Sequence, residues 1–341
     1  MKAYVLKEPY KLEEVDRDEP QIAEPDDVII AIKVVGICGS DMLSYQGKLE
    51  LISYPRIIGH EFSGVVDAVG QGVKHVKPGD PVVVEPLISC GRCKPCITGD
   101  YNVCETLKVM GVHVDGACQE KLKVKAHKVF KLPDNATLKE GITLEPFSVG
   151  LEASLRGRLT IEDKVVIFGA GTIGICVLKA VKCHNARQII SVDIDDGKLE
   201  RARNMGADHI INSSKEDVEK RVMEITGGKG ANLVVEASGV ESALAQCFEV
   251  TAYRARVTIL GFYKSPMVQI PPIHIVIKEL DVYGSRVYKN RFPLALDILA
   301  KKQVVLTDLI THEFTFDKLE DAIKTAIDPE VDSLKVIVTT Y

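Results

Sequence analysis

The chain has 341 residues and a formal net charge of −5, with 43 Lys and Arg against 48 Asp and Glu. This length suggests about two domains, and the acidic balance leaves no basic face for a phosphate backbone, which argues against nucleic-acid binding. The longest uncharged stretch, Val165–Leu178, is too short to span a bilayer and the N-terminus lacks a signal-peptide apolar run, so a cytoplasmic protein without a membrane partner is expected.

The first ~145 residues are rich in Val, Ile and Gly and read as mainly β. Strands are predicted over Val28–Val35 and Phe62–Val69, and over Val82–Val84 after the turn Lys77-Pro78-Gly79-Asp80-Pro81. This half carries Gly36-Ile37-Cys38-Gly39-Ser40-Asp41 and Gly59-His60-Glu61. Thiol, imidazole and carboxylate are zinc-ligand types. Spacing alone does not join Cys38, His60, Glu61 and the later Glu145 into one site.

Cys90, Cys93, Cys96 and Cys104 follow in the pattern C-x2-C-x2-C-x7-C. One short loop of this spacing folds around one ion, and four thiolates make a closed, structural zinc site. Such a site needs a reducing compartment. The other cysteines outside a metal-type context, Cys118, Cys176, Cys183 and Cys247, read as buried thiols. His113 lies just beyond this lobe, in Gly111-Val112-His113-Val114-Asp115-Gly116.

After Glu145-Pro146 the pattern becomes alternating strand and helix. Strands are predicted at Lys164–Phe168, Gln188–Val192, Asn232–Ala237, Arg256–Leu260 and Leu280–Tyr283. Helices are predicted at Ile173–Lys182, Lys198–Met205, Glu216–Ile225 and Glu241–Val250. Short apolar strands alternating with helices indicate a doubly wound parallel sheet. Gly169-Ala170-Gly171-Thr172-Ile173-Gly174 directly follows the first of these strands and opens a helix. That is the context a dinucleotide fingerprint requires. Asp193 ends the second strand, where a carboxylate accepts from the adenosine ribose hydroxyls and repels a 2′-phosphate. NAD is therefore expected over NADP, with Lys198 near the same ribose. The apolar run Val268–Ile277 is expected to be a proline-marked edge strand that pairs across a two-fold axis. A helix over Pro293–Lys302 precedes the β-like run Leu334–Thr340, which should return to the first domain.

The Gly-Ile-Cys-Gly-Ser-Asp segment, Gly-His-Glu, the four-cysteine lobe, Glu145-Pro146 and the glycine fingerprint occur in one order. Together they resemble the zinc-containing medium-chain alcohol dehydrogenases over essentially the whole chain. The similarity is greatest to the sorbitol, threonine and sugar-acid (galactonate-type) branches, which carry Glu-Pro where the ethanol-oxidising branch carries a cysteine ligand. The resemblance implies an α/β protein: a doubly wound Rossmann domain at 148–284 and a mainly β GroES-like catalytic domain, 1–147 plus 285–341, bearing the structural zinc lobe. It implies a catalytic zinc on Cys38 and His60, with Glu61 and Glu145 completing the shell directly or through water. Asp41 would orient the His60 imidazole, and Ser40 would first take the alcohol proton. Members often have a relay histidine five residues after the zinc cysteine. Leu43 stands there, so the proton is expected to leave through the cofactor ribose and ordered water. His113 and Arg286 are the substrate candidates, and the Arg286 guanidinium suits a carboxylate.

The function so implied is a zinc-dependent oxidoreductase with two zinc ions per subunit. It would transfer a hydride between a secondary alcohol of a sugar acid or polyol and NAD. Threonine and simple secondary alcohols are the alternative substrates. The presence of Cys38, His60 and Glu61 opposes a zinc-independent quinone or enone reductase. The fingerprint and the acidic charge oppose a non-enzymatic zinc-lobe binding protein. The resemblance implies a homo-oligomer, a dimer or tetramer.

Overall fold

The computed structural model describes residues 1–340. The chain forms two compact units, Met1–Glu145 with the tail from Phe292 onward, and Pro146–Arg291.

The first unit is organised on the strand Asp27–Ile37, whose sequence DVIIAIKVVGI is apolar almost throughout. It is flanked antiparallel by Glu61–Val69 on one side and Lys335–Thr339 on the other. Pro81–Val84 and Val129–Lys131 extend the sheet beyond the first, and Ile310–Thr315 beyond the second. The last strand of the chain thus closes onto the first unit. Leu6, Ile30, Ile58, Phe62, Val82 and Leu319 are fully buried in its core. Each such side chain contributes about 1.5–3 kcal/mol of transfer free energy, which is what selects this register over its neighbours. In that register Gly36 faces Glu61 and Ile37 faces Val336. Cys38, His60 and Lys335, each one residue beyond these pairs, therefore meet at one end of the sheet.

The second unit is a six-stranded parallel sheet. Its strands are β1 (Lys164–Phe168), β2 (Gln188–Asp193), β3 (His209–Asn212), β4 (Ala231–Glu236), β5 (Thr251–Ile259) and β6 (Asp281–Gly284). Their spatial order is β3-β2-β1-β4-β5-β6. β1, β2 and β4 read as continuous apolar runs because helices cover both faces of such a sheet. The helices Asp196–Asn204 and Val218–Thr226 begin at Asp195 and Asp217, whose carboxylates accept from the N–H groups of Lys198 and Lys220. The strand order reverses between β1 and β4, and ligands of such sheets bind at the carboxyl ends of the strands beside that reversal.

Two expectations are corrected here. The run Val268–Ile277 is not an edge strand: it is irregular as far as Pro271 and then forms a short helix, Pro272–Ile277. Proline at the first helical position has a preset φ and no N–H to leave unpaired, so the sequence that marks an edge strand also starts a helix. The domain boundary expected at 284/285 falls at 291/292. Loop 285–291 stays with the second unit because Ser285 N donates to Ile259 O (2.9 Å), Tyr288 is fully buried, and Arg291 Nε lies 2.7 Å from Glu152 Oε2. Among the described residues no helix is long and apolar enough to cross a membrane.

Candidate metal and dinucleotide sites

The four cysteines of the lobe converge around the short helix Lys94–Ile97. Their sulfurs are separated by 3.4 Å (Cys93–Cys96), 3.8 Å (Cys93–Cys104) and 4.0 Å (Cys90–Cys96). A tetrahedron of sulfurs with Zn–S of about 2.3 Å has edges of about 3.8 Å, so the donor set fits zinc. N–H groups of Arg92 and Cys93 draw the Cys90 thiol down to about 6, towards the thiolate a metal needs. Tyr101, inside the lobe, donates to Glu85 Oε1 at 2.5 Å, and Glu85 pairs with Lys128 at 2.9 Å. This trio, in which Glu85 and Lys128 are buried, ties the lobe to the sheet through residues that no local spacing groups.

The second cluster forms at the sheet end described above. Ligand atoms of Cys38, His60 and Glu61 lie within 4.8 Å of one another. Cys38 caps the helix Gly39–Tyr45, and half-buried Ser40 stands in its first turn. Burial alone would lower the pKa of His60, but Asp41, Cys38 and Glu145 around it raise it well above the ordinary value. A pocket this rich in negative groups is built to hold a cation, and a thiol, an imidazole and carboxylates are zinc donors. Glu145, in the first turn of the helix Leu144–Arg156, is buried and acts on His60 through its charge, outside the three-residue group.

Asp41 Oδ1 is 3.7 Å from His60 Nδ1, beyond hydrogen-bond range. Its carboxylate instead accepts from Cys38 N (2.9 Å) and Gly59 N (3.1 Å), so it fixes the two backbone segments that carry the ligands. No local sequence signal marks Lys335. Its Nζ donates to Glu61 Oε1 (2.8 Å) and Ile37 O (3.2 Å), and lies 2.6 Å from Glu61 Oε2. Gly36 makes room for the same carboxylate, since a Cβ there would approach Glu61 Oε2 to 2.5 Å. No spacing rule links a lysine near the C-terminus to a glutamate nearly three hundred residues earlier; only strand pairing does.

In the second unit the fingerprint forms the turn from β1 into the helix Thr172–Cys183. Gly169 has φ +99°, the left-handed region that favours glycine. A Cβ on Gly174 would sit 1.8 Å from the Gly169 carbonyl oxygen, so helix and strand pack this closely only with glycine there. A Cβ on Gly171 would meet nothing within 4 Å, which leaves open space beside the helix start. Thr172 and Ile173 are the first helical residues, at the positive end of the helix dipole, which attracts a phosphate. Asp193 Oδ2 accepts from Ala170 N (2.7 Å) and Oδ1 from Ile194 N (2.8 Å), so the acidic residue also braces the glycine turn. Lys198 is half-buried two residues into the helix Asp196–Asn204.

The two substrate candidates lie in different units. His113 is half-buried, and its Nδ1 accepts from Val109 N at 3.1 Å, which fixes its proton on Nε2. Arg286 is exposed in the loop after β6.

The chain matches two family descriptions, "Alcohol dehydrogenase GroES-like domain" over residues 24–134 and "Zinc-binding dehydrogenase" over residues 172–301. Sorbitol dehydrogenase of Bacillus subtilis (strain 168) is 34% identical over 317 residues, covering 92% of this chain and 90% of its own length. L-idonate 5-dehydrogenase of Vitis vinifera is 35% identical over 312 residues, covering 89% and 85%. The crystal structure of the alcohol dehydrogenase RspB from Escherichia coli CFT073, complexed with NADH, superposes with a TM-score of 0.93 at 35% identity and covers 99% of both chains. Two zinc-compatible donor sets, a dinucleotide turn and relatives similar over nearly the full length lead to one conclusion: the chain belongs to the zinc-containing medium-chain alcohol dehydrogenases.

Proposed function

We propose that the protein oxidises a secondary alcohol of a polyol or sugar acid with NAD. The observation that carries this reading is the donor set at the sheet end, where buried carboxylates stand beside one thiol and one imidazole. Relatives named for sorbitol and L-idonate support the same substrate class. Cys38 and His60 would hold the catalytic zinc, with Glu61 and Glu145 completing the shell directly or through water. The four lobe cysteines hold the structural one. Bound there, zinc supplies Lewis acidity towards a hydroxyl oxygen, and NAD supplies the hydride acceptor.

The chain's own residues then do the rest. Lys335 offsets the charge of Glu61, so the pocket does not carry two unneutralised carboxylates. Ser40, two residues from Cys38, takes the hydroxyl proton and releases its own towards the cofactor ribose and ordered water. His113 donates from Nε2 to a substrate hydroxyl. Arg286 pairs with a substrate carboxylate. Gly169, Gly171, Thr172, Ile173 and Gly174 cradle the pyrophosphate, while Asp193 and Lys198 take the adenosine ribose. The carboxylate of Asp193 disfavours a 2′-phosphate, so turnover with NAD should exceed turnover with NADP.

The protein acts in the reducing cytoplasm, where the lobe thiols stay free for zinc. It assembles with copies of itself. The short helix Pro272–Ile277 exposes Ile273, Val276 and Ile277, an apolar surface of the kind that marks an interface.

The test is NADH formation across sugar acids, neutral polyols, threonine and simple alcohols, with wild type and Arg286→Ala. Turnover of acids, with a KM that rises in the variant far more than any polyol KM, is the expected result. Activity on neutral polyols alone would remove Arg286 from substrate recognition. No turnover of either class by a zinc-loaded protein would overturn the substrate assignment.

A further inference from the structure

We infer that Glu236 and Tyr263 are positioning residues for the nicotinamide half of the dinucleotide site, an inference that rests on the dinucleotide reading above. Glu236 is the last residue of β4 and is 0% exposed. Its Oε1 accepts three hydrogen bonds, from Ser238 N (2.7 Å), Ser238 Oγ (2.6 Å) and Gly239 N (2.9 Å). Its Oε2 accepts from the Tyr263 hydroxyl at 2.5 Å. Its backbone carbonyl accepts from Leu260 N (3.0 Å) and Gly261 N (3.2 Å). One buried carboxylate thus fastens the loop after β4 to the loop after β5.

The same assembly reaches the fingerprint. Ala237 N donates to Phe168 O at 2.9 Å, and a Cβ on Gly169 would lie 3.0 Å from Ser238 N. A Cβ on Gly239 would come within 2.5 Å of Phe262 O, and one on Gly261 within 2.4 Å of Glu236 Oε2. The loops after β1, β4 and β5 are packed backbone to backbone around this carboxylate, with no space for slack.

Burying a carboxylate is costly unless its oxygens are satisfied, and here neutral donors satisfy them. If only packing were at stake, an apolar residue would fill the space without that cost. What the carboxylate adds is a fixed geometry for the loops after β4 and β5 at the carboxyl ends of the strands, the first of which packs on the loop after β1. The sheet order divides these ends into two halves about the reversal between β1 and β4. The half made by β1, β2 and β3 carries Asp193 and takes the adenosine; the half made by β4, β5 and β6 takes the nicotinamide nucleotide. The loops held by Glu236 border the second half.

The test compares wild type, Tyr263→Phe and Glu236→Gln for two ligands. NADH is followed by its own fluorescence, since the chain has no tryptophan, and AMP by displacement of NADH. Loss of one buried hydrogen bond should raise the NADH Kd of Tyr263→Phe about 5- to 10-fold. The AMP Kd should stay within about twofold, because the adenosine half is braced by Asp193. Glu236→Gln keeps an acceptor for Ser238 and Gly239 and should show a smaller rise. Melting temperatures of the three proteins are measured alongside; a general loosening would weaken AMP and NADH together. Equal changes for the two ligands, or an unchanged NADH Kd in both variants, would overturn the inference. Wild type that binds neither ligand would remove the dinucleotide reading and this inference with it.

Discussion

Replacing Lys335 with methionine removes the ammonium group that lies 2.6 Å and 2.8 Å from the two carboxylate oxygens of Glu61 while keeping most of the side-chain volume. The Lys335 and Glu61 side chains are only 2% and 1% exposed, so solvent does not screen the pair. Breaking a buried ion pair from one side costs about 3–5 kcal/mol, chiefly because the remaining charge is stranded. For a unit of this size each kcal/mol moves the melting temperature by about 2–4 °C, which gives a loss of about 6–20 °C in the metal-stripped protein. Zinc bound beside Glu61 would supply the missing positive charge, so the deficit should shrink on zinc loading. Thermal unfolding followed by circular dichroism, with and without zinc, measures both effects. The double variant Glu61→Gln/Lys335→Met should recover most of the loss, since no carboxylate is then stranded. A metal-stripped Lys335→Met that melts within about 2 °C of wild type would refute the reasoning.

Further predictions concern other parts of the molecule. Cys96→Ser should reduce bound zinc from two ions to one per chain by atomic emission and lower the melting temperature; retention of two ions would contradict the lobe assignment. Asp27 is buried, which would raise its pKa, but Lys125 and the N–H groups of Glu24 and Ala23 outweigh burial and hold it well below the usual carboxylate range. A carboxylate depressed in the folded state stabilises fully above its unfolded pKa of about 3.9 and loses that contribution as pH falls further. Urea unfolding should therefore show wild type losing stability below about pH 4 more steeply than Asp27→Asn; parallel curves would refute this. Val276→Asp should shift the protein to a smaller species in light scattering, and an unchanged mass would exclude the helix Pro272–Ile277 from the interface.

Much of this protein was legible along the chain because its chemistry is carried by local motifs. Four cysteines within one loop bring their sulfurs together whatever the rest of the fold does. The glycine fingerprint works through backbone geometry over six residues, and strand–helix alternation is a periodic signal of burial on both sheet faces. These sufficed for the doubly wound domain, the grouping of the four cysteines and the glycine turn, whereas the GroES-like domain followed from the family resemblance of the combined motifs. Local signals are ambiguous where two structures share one composition, as in Val268–Ile277, where the same prolines and apolar residues serve an edge strand or the start of a helix. Domain edges are similarly undetermined, since only packing assigns the loop 285–291 to the second unit. The tertiary structure alone decided that Lys335 from the final strand neutralises Glu61, that Asp41 holds Cys38 and Gly59 rather than the His60 ring, and that Glu236 joins the loops after β4 and β5. Each of these contacts joins segments through strand pairing or the ends of neighbouring strands, and the registry of a sheet is set by the burial of its whole core rather than by the residues that meet at its edge.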